Sequence, residues 1–352
     1  MNSLQRLRGA RSRLQFRPRH SALAGSLVAT AALLCSPLCE APATAAPSTA
    51  AAPAVGSATD GLGTPSDADH APKARPLDKP PIEDSLKGLF VPGKPVNDPT
   101  CRPDQGHPYP VIFIHGTASN ANDWKKAAER LHEDGFCTWA FNYGKQDTSI
   151  PTAIPGLYGN ADINRNADEL ARMVDYVRQQ TGAKKVNLVG HSQGGTLTKM
   201  YLQDRGGADK VDRVIALSGT FHGTTLGGMA EGLRPIIDAT PGFAAFFAST
   251  AATQQVVGSK EITHLNTLPD TDPRVMYTSV YTPADKTATP NSTSILKPSP
   301  GTDVANVNIS EACHPKPEIA HLDMPKHANS IGLIRWGLTR TKGDTTPSSA
   351  DC

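Results

Sequence analysis

The sequence lacks what a membrane-embedded or nucleic-acid-binding chain needs. No apolar run approaches the roughly 20 residues that span a bilayer. Charge of either sign is not in excess: 35 Lys+Arg stand against 33 Asp+Glu, a formal net charge of +2 with 19% charged residues. That balance offers no basic surface for a polyanion. There is no internal repeat, and neither a CxxC pair nor a Cys/His spacing that would hold zinc. Acidic residues are missing from positions 1–20, where six arginines occur.

What is present begins with that basic start. An apolar stretch follows at 21–34 (SALAGSLVATAALL), and Ala43, Thr44 and Ala45 form a small-x-small cleavage pattern. A basic region, a short apolar region and an A-x-A site in this order predict a signal peptide over 1–45 and a secreted, extracellular protein. Its removal takes away six Arg and Glu40 and leaves 29 basic and 32 acidic residues, a net of −3. Residues 46–84 are dominated by Ala, Pro, Ser, Thr, Gly and Asp, too poor in large apolar side chains to offset their ordering entropy, and are expected to form a disordered linker. The foldable region is then 85–340, the size of one α/β domain, with 341–352 as a polar tail. Four cysteines survive processing (Cys101, Cys137, Cys313 and Cys352), and an exported chain permits three pairings of them. The preferred pair is Cys101–Cys137, which ties the segment before the first strong strand to the one before the second. Cys352 either pairs with Cys313 or stays free.

Between these cysteines, strand and helix patterns alternate. VIFI at 111–114 is a continuous apolar run, as expected for a strand buried on both faces, and 138–143 is a second strand. Ile163, Ala167, Leu170, Val174 and Val177 recur at helical spacing, with Gly182 as the C-terminal cap. Further strands are expected at 186–189, 211–217, 274–281 and 304–309, with helices at 194–203 and 325–338. This order predicts an α/β fold: a mostly parallel central sheet with helices on both faces.

Gly190-His191-Ser192-Gln193-Gly194 falls directly after an expected strand and before an expected helix. In that context G-x-S-x-G is a nucleophile elbow, a tight turn that holds Ser192 above the sheet edge. The two glycines omit Cβ atoms that would collide across the turn. A nucleophilic serine also needs donors for an oxyanion. The N–H of Gln193 supplies one, and the N–H of Thr117, in His115-Gly116-Thr117 after VIFI, is the candidate for the second, with its hydroxyl as a further donor. His115 itself is expected to shape the loop by packing.

PVIFIHGTASNANDW, FCTWAFNYG, VNLVGHSQGG and FHGTT together resemble the secreted bacterial lipases and esterases grouped as lipase class 2, over about 97–338. The resemblance implies an α/β-hydrolase fold, a Ser-Asp-His triad, hydrolysis of lipid-like esters and no cofactor; no metal-ligand set is assigned from the residues. Acid and base follow the serine in chain order. Asp285 lies on a loop after the strand at 274–281, where open α/β sheets place their sites, and it matches the family's acid, ahead of Thr289-Pro290. Asp303 is the alternative, whereas Asp270 and Asp272 precede the strand. For the base, His321 occupies a short loop before the last helix, as the family's histidine does a few residues after a cysteine matching Cys313; His327 and His314 are the alternatives. The region 220–258, with an apolar stretch at 242–247, is expected either to cover the site as a lid or acyl wall or simply to pack. Where the family often carries a cysteine near the end of this region, the chain has Ala251-Ala252-Thr253-Gln254-Gln255, which leaves Cys313 without its usual partner. The expected partner is a small-molecule or lipid ester, with transient contact with lipid interfaces at most, no nucleic acid and a monomeric chain. Other classes compatible with the residues are an acyltransferase or polyester depolymerase using the same triad, and a binding protein on a hydrolase scaffold.

Overall fold

A computed structural model describes residues 94–145, 155–228 and 249–352, all within one unit, Ser66–Cys352. The expected signal segment (1–45), the expected linker (46–84) and the apolar stretch at 242–247 lie outside the described residues. Six strands, β1 (Val111–Ile114), β2 (Thr138–Ala140), β3 (Val186–His191), β4 (Val211–Leu217), β5 (Met276–Tyr281) and β6 (Asp303–Asn308), form a single sheet in the order β2-β1-β3-β4-β5-β6. Every pairing is parallel. The sheet is therefore wholly parallel where the sequence pattern suggested mostly so.

Side-chain alternation divides the interior into two layers, because successive residues of a strand face opposite sides. Ile112, Ile114, Leu188, Val214 and Ala216 pack on one side against α2 (Ile163–Thr181) and α3 (Gln193–Asp204). Val111, Phe113, Val189, Ile215 and Leu217 pack on the other against α1 (Lys125–Glu133) and α7 (Ala328–Thr339). With both faces covered, the central strands carry no polar alternation, which is why VIFI is apolar throughout.

Local chemistry sets the helix ends. The Asp162 carboxylate accepts from the N–H groups of Asn164 and Arg165 at the start of α2, and Gly182, at φ 73°, closes its end. A left-handed cap of that kind favours glycine because a Cβ would be strained there. Three short helices, α4 (Thr250–Gln254), α5 (Lys260–Leu265) and α6 (Ile309–Cys313), are capped by Ser249, Ser259 and Asn308.

Two expectations need correction. β2 stops at Ala140 rather than running to Tyr143: it is an edge strand with β1 as its neighbour, and beyond Ala140 the chain turns so that the Tyr143 hydroxyl donates to the His115 carbonyl at 2.5 Å. The last helix begins at Ala328 rather than near 325, because His327 adopts extended backbone and caps it. Cys101 pairs with Cys137 and Cys313 with Cys352. The second bridge replaces the partner that the Ala251–Gln255 stretch does not supply, and the polar residues after Arg340 are drawn back onto α7, where the backbone of Asp351 and Cys352 lies against Gly332.

Candidate active site

The turn between β3 and α3 is shaped by what its glycines leave out. A Cβ on Gly190 would lie 2.6 Å from the Gly194 carbonyl carbon, and one on Gly194 would overlap the Ile114 carbonyl oxygen. Ser192 sits between them at φ 54°, ψ −121°, left-handed backbone that a non-glycine residue adopts only under strain. Its N–H is anchored to the Leu217 carbonyl at 3.0 Å, while its hydroxyl caps none of the α3 amides. The turn is fixed from both sides, and the nucleophile candidate is left uncommitted.

Asp285 and His321 meet at the same edge. Asp285 follows β5, and its Oδ2 accepts from His321 Nδ1 at 2.7 Å. The other oxygen, Oδ1, accepts from the N–H groups of Thr287 and Ala288, each at 2.8 Å. Asn291 closes this acid loop by donating to the Asp285 and Ala288 carbonyls. Burial alone would push the Asp285 carboxyl up, but the charge and hydrogen bond of His321 and the two amides outweigh it and hold the group below the ordinary carboxylate range. An ionised Asp285 only accepts, so His321 Nδ1 is the donor of the pair. Ser192, Asp285 and His321 are all buried, at 3%, 5% and 5% exposure. Among the described residues the Ser192 hydroxyl makes no hydrogen bond, including to His321. The two are linked one residue away, where His191 Nε2 donates to the His321 carbonyl at 2.9 Å.

The loop after β1 closes over the elbow. A Cβ on Gly116 would lie 3.1 Å from Ser192 Cβ, so the loop carrying Thr117 runs beside Ser192. Among the described residues, the N–H groups of Thr117 and Gln193 make no hydrogen bond. The side chains below are committed. Gln193 Nε2 donates to Thr117 Oγ1 at 2.6 Å and to the Gly159 carbonyl at 2.9 Å, and Asn166 Nδ2 holds the Gln193 oxygen at 2.9 Å. Gln255 Nε2 also donates to Thr117 Oγ1, at 2.9 Å, while Thr220 fixes the Gln255 oxygen. With both acceptor sites of its hydroxyl filled, Thr117 keeps its proton for donation elsewhere. Sequence reasoning missed Gln255, for which the only pointer was a polar residue ending an Ala-rich stretch.

The alternative residues serve the scaffold. Asp303 forms a buried ion pair with Arg340 at 2.6 Å. Asp270 pairs with the buried Lys199, also at 2.6 Å. His327 caps α7, and His314 closes α6 in left-handed backbone. His115 stacks on Tyr143 with ring centroids 4.3 Å apart, and burial lowers its pKa to about 4, so it is a neutral packing element of the loop.

Residues 109–254 match the family model of the alpha/beta hydrolase fold. The solved structure of Aspergillus fumigatus lipase B superposes with a TM-score of 0.53 over 68% of this chain and 56% of that one, at 21% identity. The chain has the α/β-hydrolase fold. Among characterised proteins it is similar to a triacylglycerol lipase of Vibrio cholerae, 25% identical over 132 residues that cover 36% of this chain and 37% of that protein. A triacylglycerol lipase of Pseudarthrobacter phenanthrenivorans is 34% identical over 100 residues, covering 27% of this chain and 28% of that protein. The chain thus spans 28% to 37% of the length of these two relatives.

Proposed function

We propose that the protein is a secreted serine carboxylic-ester hydrolase, a lipase or esterase acting on lipid-like esters through Ser192, His321 and Asp285. The observation that carries this is the buried 2.7 Å hydrogen bond from His321 Nδ1 to Asp285, at the sheet edge where Ser192 stands on its strained turn. His321 Nε2 takes the Ser192 proton as Oγ attacks the ester carbonyl, and Asp285 stabilises the resulting imidazolium. The Ser192–His321 contact forms as substrate seats, in keeping with the loose geometry common to empty hydrolase sites. The N–H groups of Thr117 and Gln193, with the Thr117 hydroxyl, hold the oxyanion. His321 returns its proton to the departing alkoxide, leaving an acyl group on Ser192. A water then loses a proton to His321 as it attacks the acyl carbon, the bond from that carbon to Ser192 Oγ breaks, and His321 returns the proton to Oγ as the acid is released.

The basic start, the A-x-A pattern and two disulfides support export, since disulfides persist in oxidising compartments. Similarity to named triacylglycerol lipases supports an ester substrate. The test is turnover of a p-nitrophenyl ester by mature protein and by Ser192→Ala. The variant is expected to fold and to be inactive, and retained turnover contradicts the proposal.

A further inference from the structure

His191, the residue before the nucleophile, touches all three parts of the site. Its Nε2 donates to the His321 carbonyl at 2.9 Å, and the two imidazole rings lie 4.7 Å apart, centroid to centroid. On its other side, a Cβ on Gly116 would sit 3.2 Å from His191 Nδ1, so that atom faces the loop carrying Thr117. His191 Nδ1 is buried and has no hydrogen-bond partner among the described residues. A proton on Nδ1 would be buried with no acceptor, so the proton that Nε2 donates is the ring's only one and the ring is neutral. Burial and the neighbouring His321 both favour that form and lower its pKa to about 3.

The base needs such a support. His321 begins a three-residue 3-10 turn, His321–Asp323, and the next residue, Leu322, is 65% exposed. Asp285 orients the imidazole and the buried Ile319 and Met324 seat the turn on the core, while the His191 bond is the hydrogen bond that ties the backbone of the turn to β3. We infer that His191 is a positioning residue: a permanently neutral imidazole that pins the main chain of the base to the nucleophile elbow and so sets the reach of His321 Nε2 to Ser192 Oγ. This rests on the assignment of His321 as the base. A displacement of about 1 Å in a reacting group can cost about 100-fold in rate, so losing the pin should appear in turnover and not in ground-state binding.

His191→Phe keeps the ring volume and removes the donor; His191→Gln removes the ring and keeps an N–H able to reach the carbonyl. Competent sites are counted with a fluorophosphonate, and kcat and KM for a p-nitrophenyl ester are expressed per titrated site. His191→Phe is expected to lose roughly 10- to 100-fold in per-site kcat with KM within about twofold. His191→Gln is expected to recover most of that loss. If His191→Phe does not fold, His191→Asn, whose amide is too short to reach, should show the same loss. Wild-type per-site kcat in His191→Phe with only a reduced count of competent sites, or no recovery in His191→Gln, overturns the inference. Turnover by Ser192→Ala instead removes the catalytic assignment itself, so the two failures are distinguishable.

Discussion

At the scale of single residues, the site depends on groups held in one protonation or hydrogen-bonding state. Asp285 has no oxygen to spare: one serves His321 and the other two backbone amides. Asp285→Asn keeps an acceptor for Thr287 and Ala288, so the fold should survive. Its other atom becomes a donor and forces the wrong imidazole tautomer. In ester assays kcat is expected to fall about 10⁴-fold with an unchanged circular dichroism spectrum, and a loss under tenfold contradicts the role. Thr117→Val keeps the backbone donor but removes the hydroxyl primed by Gln193 and Gln255. It should cost roughly 10- to 100-fold in kcat, less than the loss of a full oxyanion donor, and wild-type kcat would exclude the hydroxyl from the oxyanion site. The turn at Ser192 and the pairing of Asp285 with His321 could be anticipated from the sequence because elbow spacing, chain order and strand edges constrain them. Gln255 and the His191 contact could not, since a lone polar residue acquires its partners only when distant segments meet.

At the scale of elements, the strand that ends in the elbow and the helix that leaves it must approach more closely than ordinary side chains permit. Gly190→Ala would put a methyl group 2.6 Å from the Gly194 carbonyl carbon. Relief requires backbone movement, with an expected destabilisation of about 1–3 kcal/mol and loss of activity beyond it, measurable by urea unfolding beside kinetics. A fully active, equally stable variant contradicts the packing described. The strands and α2 were legible because their apolar residues are large and regularly spaced. α1 was not foreseen: its buried residues are Ala127, Ala128 and Leu131, a weak apolar signal in a charged segment. The true end of β2 was hidden for a related reason, because Phe141 and Tyr143 stay buried after leaving the ladder.

At the scale of the whole molecule, polar ties outside the candidate site hold the late segments to the sheet. His222 and Lys199 converge on Asp270 at 3.3 Å and 2.6 Å. Burial opposes ionisation of Asp270, but hydrogen bonds from His222, Lys199 and the Lys297 N–H outweigh it and hold its pKa far down. Its stabilisation is therefore present above its ordinary value of 3.8 and is lost as pH falls below it. The hydrogen bond to Asp270, opposed by burial, raises the His222 pKa above 6.5, so this contribution is complete below 6.5 and disappears as pH rises through the elevated value. His222→Gln should flatten the fall in urea midpoint on that alkaline side, and an unchanged slope contradicts the assignment. The Cys313–Cys352 bridge, 39 residues apart in sequence, fastens the chain end to α6. Replacing both cysteines by serine should cost about 2–4 kcal/mol and lower Tm by roughly 5–15 °C; an unchanged Tm would show the bridge to be dispensable. Four cysteines showed that pairing was available but not where the chain end would lie, which depends on the fold returning α6 to it. The central claim, that Ser192 is a nucleophile activated by His321, is tested most directly by intact-mass and peptide analysis after fluorophosphonate treatment. The account predicts one adduct, on Ser192, absent in Ser192→Ala and formed far more slowly in His321→Ala. An unlabelled protein, an adduct elsewhere, or labelling indifferent to His321 would contradict it.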